Sequence, residues 1–368
     1  MPTRNTLILA CVLALVAGAI FYLESSKPDR AVGVSGTPVA TSTVHTPDFA
    51  ARAERYPKAV ELVTPQGYIN TPEGFMLSSL AGNKIVLIDF WTYSCINCQR
   101  TIPYLNAWYE KYKNYGFEIV GVHTPEFEFE KVFDNVKAGV EKFGIKYPVV
   151  LDNNYATWGA YQNNYWPEHY LMDINGLIVD RHIGEGGYAE TEALIQQLLK
   201  ERALAMGLNI TIPSGTVDIS QTVSAASPET YFGSGRNEYL GNGTPFVAGT
   251  QTLSAPASPK LNTLYLRGQW DFSKEYATSK SVNAHIVYTY SAKSVYFVGM
   301  APQGATLTVL RDGVPVAAER GEDVGQNGTV EVKEARLYKL IEEKSPGTHT
   351  LELIIKEPGL EAFTFTFG

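Results

Sequence analysis

Two cysteines separated by two residues, Cys95-Ile96-Asn97-Cys98, are the side chains of this sequence best suited to do chemistry. Thiols one helical turn apart can alternate between a dithiol and a disulfide. They follow an apolar run, 84–91 (KIVLIDFW), that reads as a buried strand. They open a segment, 95–115, in which Ile102, Leu105, Tyr109 and Tyr112 recur at spacings of three and four, with Gly116 just past its end. A thiol at a helix N-terminus meets unpaired N–H groups and the positive end of the macrodipole, which favour a thiolate. Cys95 is therefore the expected nucleophile, and Cys98, on the same face one turn later, the resolving thiol. Asp89, on the strand beneath them, is expected to take up the Cys98 proton; the plainer alternative is a strand-end aspartate in water.

The elements that must position this pair read as an α/β domain over 48–206. Strands are expected at 84–91, 117–122 and 147–151. The last two are separated by one amphipathic helix carrying Phe129, Val132, Phe133, Val136, Val140 and Phe143. A short helix around 155–161, a hairpin of 169–173 and 177–182 across Asn175-Gly176, and a helix through Leu194, Ile195, Leu198 and Leu199 complete it. Beyond 207 the helical period fades, and short alternating segments between turns predict an all-β jelly roll or β-sandwich at 207–368. The aromatics Trp270, Phe272, Tyr276, Tyr288 and Tyr290 there would either stack on a glycan or fill the core between sheets.

Of 368 residues, 45% are apolar, enough for two domains. The balance of 30 basic against 38 acidic residues gives −8, which leaves no basic surface for nucleic acid. Of three cysteines, Cys11 lies in the uncharged apolar stretch 6–23, so no multi-disulfide framework forms. Residues 1–25 read as a single apolar helix, a membrane anchor in preference to a cleaved signal peptide, and 26–47 as a Ser/Thr/Pro/Gly linker. The rest of the chain is then expected outside the cytoplasm. A second Cys-x-x-Cys is missing and the six histidines are scattered, so no metal site is expected. His123 and His169 read as structural or surface histidines, and three Asn-x-Thr triplets receive no function.

The stretch 88–98 (IDFWTYSCINC) resembles the thioredoxin active-site strand and loop. Pro103 matches that family's helix proline, and Trp166-Pro167 stands where thioredoxins carry a cis-proline opposite the disulfide. TYSCINCQRTIPYL, VHTPEFEFEK and the C-terminal SPETYFG, GTVEVKEARLYKLI and PGLEAFTFTFG are similar to the exported thioredoxin-like part of DipZ-type proteins, relatives of the TlpA and ResA reductases. Two departures matter. Ser94 stands where many thioredoxins have tryptophan, and a single apolar segment replaces the multi-span, CcdA-type electron-delivering domain of DipZ proteins. The resemblance implies a thiol-disulfide oxidoreductase whose only redox group is the Cys95–Cys98 disulfide, with no further cofactor. It implies catalytic roles for Cys95, Cys98, Asp89, Glu126 and Pro167 and substrate docking at Trp91, Tyr93 and Trp166. Glu126 would be the acidic residue that ResA-like reductases place near the disulfide; otherwise it is a first-turn helix glutamate. The implied partners are proteins carrying disulfides and a membrane electron donor of the CcdA or DsbD type acting in trans; a glycan for the C-terminal module rests on its aromatics alone. A thiol peroxidase is the competing enzyme, suggested by VHTPEFEFE, and a wall-glycan-binding protein the competing non-enzyme. A copper chaperone would use Cys-x-x-x-Cys instead.

Overall fold

The computed structural model describes residues 49–219 and 225–368. The expected N-terminal apolar helix and the linker lie outside the described residues. No helix among the described residues is long and apolar enough to cross a membrane.

Helix α1 (Phe49–Arg55) precedes a six-stranded sheet built from β1 (Gly67–Ile69), β2 (Ile85–Trp91), β3 (Phe117–His123), β4 (Val149–Leu151), β5 (Glu168–Met172) and β6 (Ile178–Ile183), in the order β1-β4-β3-β2-β5-β6. Strands β2, β3 and β4 run parallel and the other pairings are antiparallel. All seven residues of β2 are buried, because both faces of this central strand are covered. Ile85, Leu87 and Trp91 pack on one side with Ile102, Leu105 and Trp108 of helix α2 (Ile96–Tyr112). Val86, Ile88 and Phe90 pack on the other with Leu62, Leu77 and Tyr161.

The expected second helix is two pieces, a 3-10 turn at Glu128–Lys131 and α3 (Phe133–Lys142), broken at an extended Val132. The Glu130 carboxylate turns back to accept hydrogen bonds from the amides of Glu126 and Phe127, which closes the short turn on itself. Val132 and Phe133 are left 50% and 41% exposed, so the apolar spacing had counted residues that share no helix face. Two further helices follow, the short α4 (Ala156–Ala160) and the long α5 (Tyr188–Ala205). Between them the β5–β6 hairpin turns at Gly176, whose φ of 77° suits glycine, while Asp173 Oδ1 accepts from the amides of Asn175 and Leu177.

The second half is antiparallel throughout its named strands: β7 (Thr230–Tyr231), β8 (Gly249–Leu253), β9 (Leu264–Phe272), β10 (Ala277–Ser279), β11 (Ala284–Met300), β12 (Ala305–Arg311), β13 (Val314–Pro315), β14 (Thr329–Val332), β15 (Arg336–Ile355) and β16 (Glu361–Phe367). Strand β11 pairs along most of its length with β15, with register shifts at Ala292/Ser294 and Val295/Tyr296. Trp270, Tyr288 and Tyr290 are fully buried and Phe272 is 2% exposed. Tyr276 packs its ring on Phe363. These aromatics fill the interior, the second of the two alternatives the sequence left open.

The two halves share apolar core. Phe363 of β16 packs edge-on against Phe127 and Phe129, at ring distances of 5.1 and 4.8 Å. The Tyr93 hydroxyl donates to the Ala335 carbonyl at 3.1 Å. Residues 208–219 run along the α/β half, where Ile212 is buried in its core and the Val217 amide donates to Glu192.

Candidate active site

Cys95 caps the N-terminus of α2 with extended backbone dihedrals, and its Sγ accepts a hydrogen bond of 3.3 Å from the Cys98 amide. That donor is one of the helix N-terminal amides without an intrahelical acceptor, aimed where a thiolate would sit. Both cysteines are free thiols; Cys95 is half-buried and Cys98 is 1% exposed. Burial pushes the Cys98 thiol well above its ordinary range, and the hydrogen bond and charge of Cys95 and the charge of Asp89 push the same way. Cys98 therefore ionises only with a proton acceptor at hand.

Asp89, 1% exposed, shares the Cys98 side of the sheet, and the water-exposed alternative is gone. His169 Nε2 lies 3.2 Å from Asp89 Oδ1 but off the line of a hydrogen bond, and neither carboxylate oxygen has a directed partner in the protein. The Tyr147 hydroxyl is buried without a partner, and burial with the nearby charges of Asp89 and Cys98 holds its phenol far above the usual range.

The Trp166–Pro167 peptide bond is cis, and the Cys95 thiol donates to the Trp166 carbonyl at 3.8 Å. Trp166 lines the site, fixed by its indole N–H donating to Thr124 O at 3.0 Å and by Trp158 at a ring distance of 4.3 Å. Trp91 and Tyr93 do not line it. Trp91 is fully buried in the core and Tyr93 is 5% exposed, stacked on His123 and bonded to Ala335, so neither is placed to dock a substrate. Both lie on a strand and turn covered from each side, where alternation alone cannot say which rings reach solvent. His123 is fully buried, and burial lowers it to about 3, a neutral structural ring.

Cys95 opens into a cleft of about 380 Å³ whose far wall comes from the β half. Asn97, Glu126 and Trp166 form one side, and Glu229, Tyr231, Arg236 and Phe367 the other. Glu126 is not in a helix. Its Oε1 accepts from Arg236 Nη1 at 2.7 Å and lies 2.8 Å from the Tyr231 hydroxyl, which is also 2.7 Å from Glu229 Oε2. One phenolic proton thus serves two carboxylates, and the Arg236 guanidinium covers the Tyr231 ring at 3.7 Å.

Sequence reasoning passed over Glu130, Tyr147, Tyr231 and Arg236. Ser94 Oγ donates to Glu130 Oε1 at 2.5 Å, and Glu130 Oε2 accepts from two backbone amides. Burial, then the charge of Glu126, raises Glu130 to about 7. Nothing in Phe127-Glu128-Phe129-Glu130 separates the buried glutamate from Glu128, and Arg236 lies 110 residues from its partner. Among the described residues no group of three or more metal-ligating side chains is brought together.

Residues 47–181 match the profile of the AhpC/TSA family, and residues 227–368 that of the thioredoxin-like C-terminal domain. Protein DipZ of Mycobacterium bovis and that of Mycobacterium tuberculosis are each 41% identical over 324 residues, which is 87% of this chain and 44% of theirs. The chain thus spans less than half the length of these relatives. Thiol-disulfide oxidoreductase ResA of Bacillus cereus is 31% identical over 133 residues, 34% of this chain and 74% of its own.

Proposed function

This chain belongs to the thioredoxin-like thiol-disulfide oxidoreductases of the DipZ and ResA kind, and on that premise we propose that it reduces disulfides of extended protein segments. The observation that carries the reading is a half-buried thiol at a helix tip, over a buried partner thiol, at the floor of a two-walled cleft. Cys95 as thiolate attacks one sulfur of the substrate disulfide, and the other sulfur leaves with the electron pair. Cys98 gives its proton to Asp89 and attacks Cys95, releasing the second substrate thiolate. The substrate gains two electrons and the protein is left with a Cys95–Cys98 disulfide, which a dithiol must reduce again.

A narrow cleft suits a strand-like segment carrying a cysteine better than a folded surface. The edge at Trp166-Pro167 would dock its backbone, since a proline leaves one donor out of the local pairing. Glu126 would act here, through Arg236 and Tyr231, as part of the wall that receives the segment. The apolar N-terminal stretch supports a place outside the cytoplasm at a membrane, with a CcdA- or DsbD-type donor restoring the dithiol. The β half supplies the far wall of the cleft.

Insulin-disulfide reduction with a dithiol donor tests this. Turnover well above the donor alone is expected, and none would overturn it. A Cys95–Cys98 potential near about −270 mV supports a reductase, and one near about −120 mV an oxidant. The AhpC/TSA match favours a second reading, a thiol peroxidase. Reduced protein that loses thiol to hydrogen peroxide no faster than a free thiol would dismiss it.

A further inference from the structure

The register of three neighbouring strands sets Asp89 of β2 opposite His169 of β5, and His169 opposite His182 of β6. Paired residues share a sheet face, so the three side chains form a row on the face that carries Cys98. Asp89 and His169 are 1% and 5% exposed, with His169 Nε2 3.2 Å from Asp89 Oδ1. The two imidazoles lie 6.1 Å apart at 12°, and His182 is half-buried beneath Gly187, next to the start of α5. The row thus leads from the floor of the cysteine site to the edge strand of the sheet.

Both Asp89 oxygens and the Nε2 atoms of His169 and His182 are buried without a directed hydrogen bond in the protein. Four such atoms in one row are costly in a folded interior unless water or a transferred proton meets them. Among the described residues, Cys98 on α2, Cys95 at its N-cap and Tyr147 ahead of β4 bear on the Asp89 end of the row, and Glu185 and Tyr188 flank the Gly187 that covers His182. Gly121, opposite Asp89 on β3, contributes none.

Resting on the exchange reaction proposed above, we infer that His169 is a positioning residue for Asp89, and that Asp89, His169 and His182 carry the Cys98 proton out of the core. In the resolving step the Cys98 S–H bond breaks and its proton passes to Asp89. The Cys98 sulfur bonds to Cys95 as the bond from Cys95 to the substrate breaks, and the electron pair leaves with the substrate thiolate. Asp89 hands the proton to His169, a water molecule carries it across the 6.1 Å between the stacked imidazoles to His182, and His182 releases it to solvent. Asp89 is then a carboxylate again, ready to take the next proton.

The test is the rate at which a preformed Cys95 mixed disulfide with a chromogenic thiol resolves, measured across pH in wild type, His169→Gln, His182→Gln and Asp89→Asn, with circular dichroism to show folding. His169→Gln is expected to slow resolution about tenfold at neutral pH and to move the pH profile, in the same sense as Asp89→Asn. A folded His169→Gln protein whose profile superimposes on wild type overturns the inference. Should His169→Gln not fold, His182→Gln decides: slowed resolution that added imidazole restores supports the row, and a wild-type rate overturns it. A wild-type protein that never forms the mixed disulfide overturns the exchange reaction itself, an outcome distinct from loss of the relay alone.

Discussion

Ser94, the residue before the nucleophile, donates a 2.5 Å hydrogen bond to the fully buried carboxylate of Glu130. The same carboxylate accepts from the amides of Glu126 and Phe127, so one side chain ties the cysteine loop to the loop that carries Glu126 into the cleft. Burial raises Glu130 to about 7 from an ordinary value of 4.5. The folded chain therefore keeps a proton that the unfolded chain has lost, and stability present below about pH 4.5 is lost as pH rises through about 7. Relative to Glu130→Gln, wild type should lose on the order of 3 kcal/mol over that window. Denaturant titrations of both proteins at several pH values check this; parallel stability curves would contradict it.

Arg236 holds Glu126 from across the cleft and lies flat on Tyr231. Arg236→Ala should raise KM for a peptide disulfide about tenfold while kcat falls less. Arg236→Lys should recover little of it, because an ammonium neither forks to a carboxylate nor stacks on a ring. Steady-state kinetics with one peptide substrate decide the point.

Phe363 joins the halves by packing against Phe127 and Phe129. Phe363→Ala should cost about 3 to 5 kcal/mol, typical of a buried ring removed from a core. The loss should show in both halves, read as coincident shifts of near-ultraviolet signal and of Cys98 protection from alkylation. A transition confined to the β half would mean that this contact adds little to the α/β half.

Much of the α/β half was legible because local signals agree. The run 84–91, the helix period after Cys95 and the Asn175-Gly176 turn each specify an element without tertiary help, and each element formed within a few residues of its expected bounds. Misreadings arose where burial or distant pairing decides. Trp91 and Tyr93 carry no local sign that both faces above them are covered. Val132 and Phe133 fit a helical stripe until Glu130 folds back on its own turn. Tyr231 and Arg236 reach the cysteine cleft only because β7 pairs with β16, a relation between segments 134 residues apart that periodicity does not encode.

Cys98→Ser and Cys95→Ser, each incubated with a peptide disulfide and read by intact-protein and peptide mass spectrometry, test the central claim most directly. The division of labour between an accessible nucleophile and a buried resolving thiol predicts that Cys98→Ser accumulates a mixed disulfide on Cys95 and that Cys95→Ser accumulates none. Adducts of equal yield in the two variants, or an adduct on Cys98 alone, would contradict it.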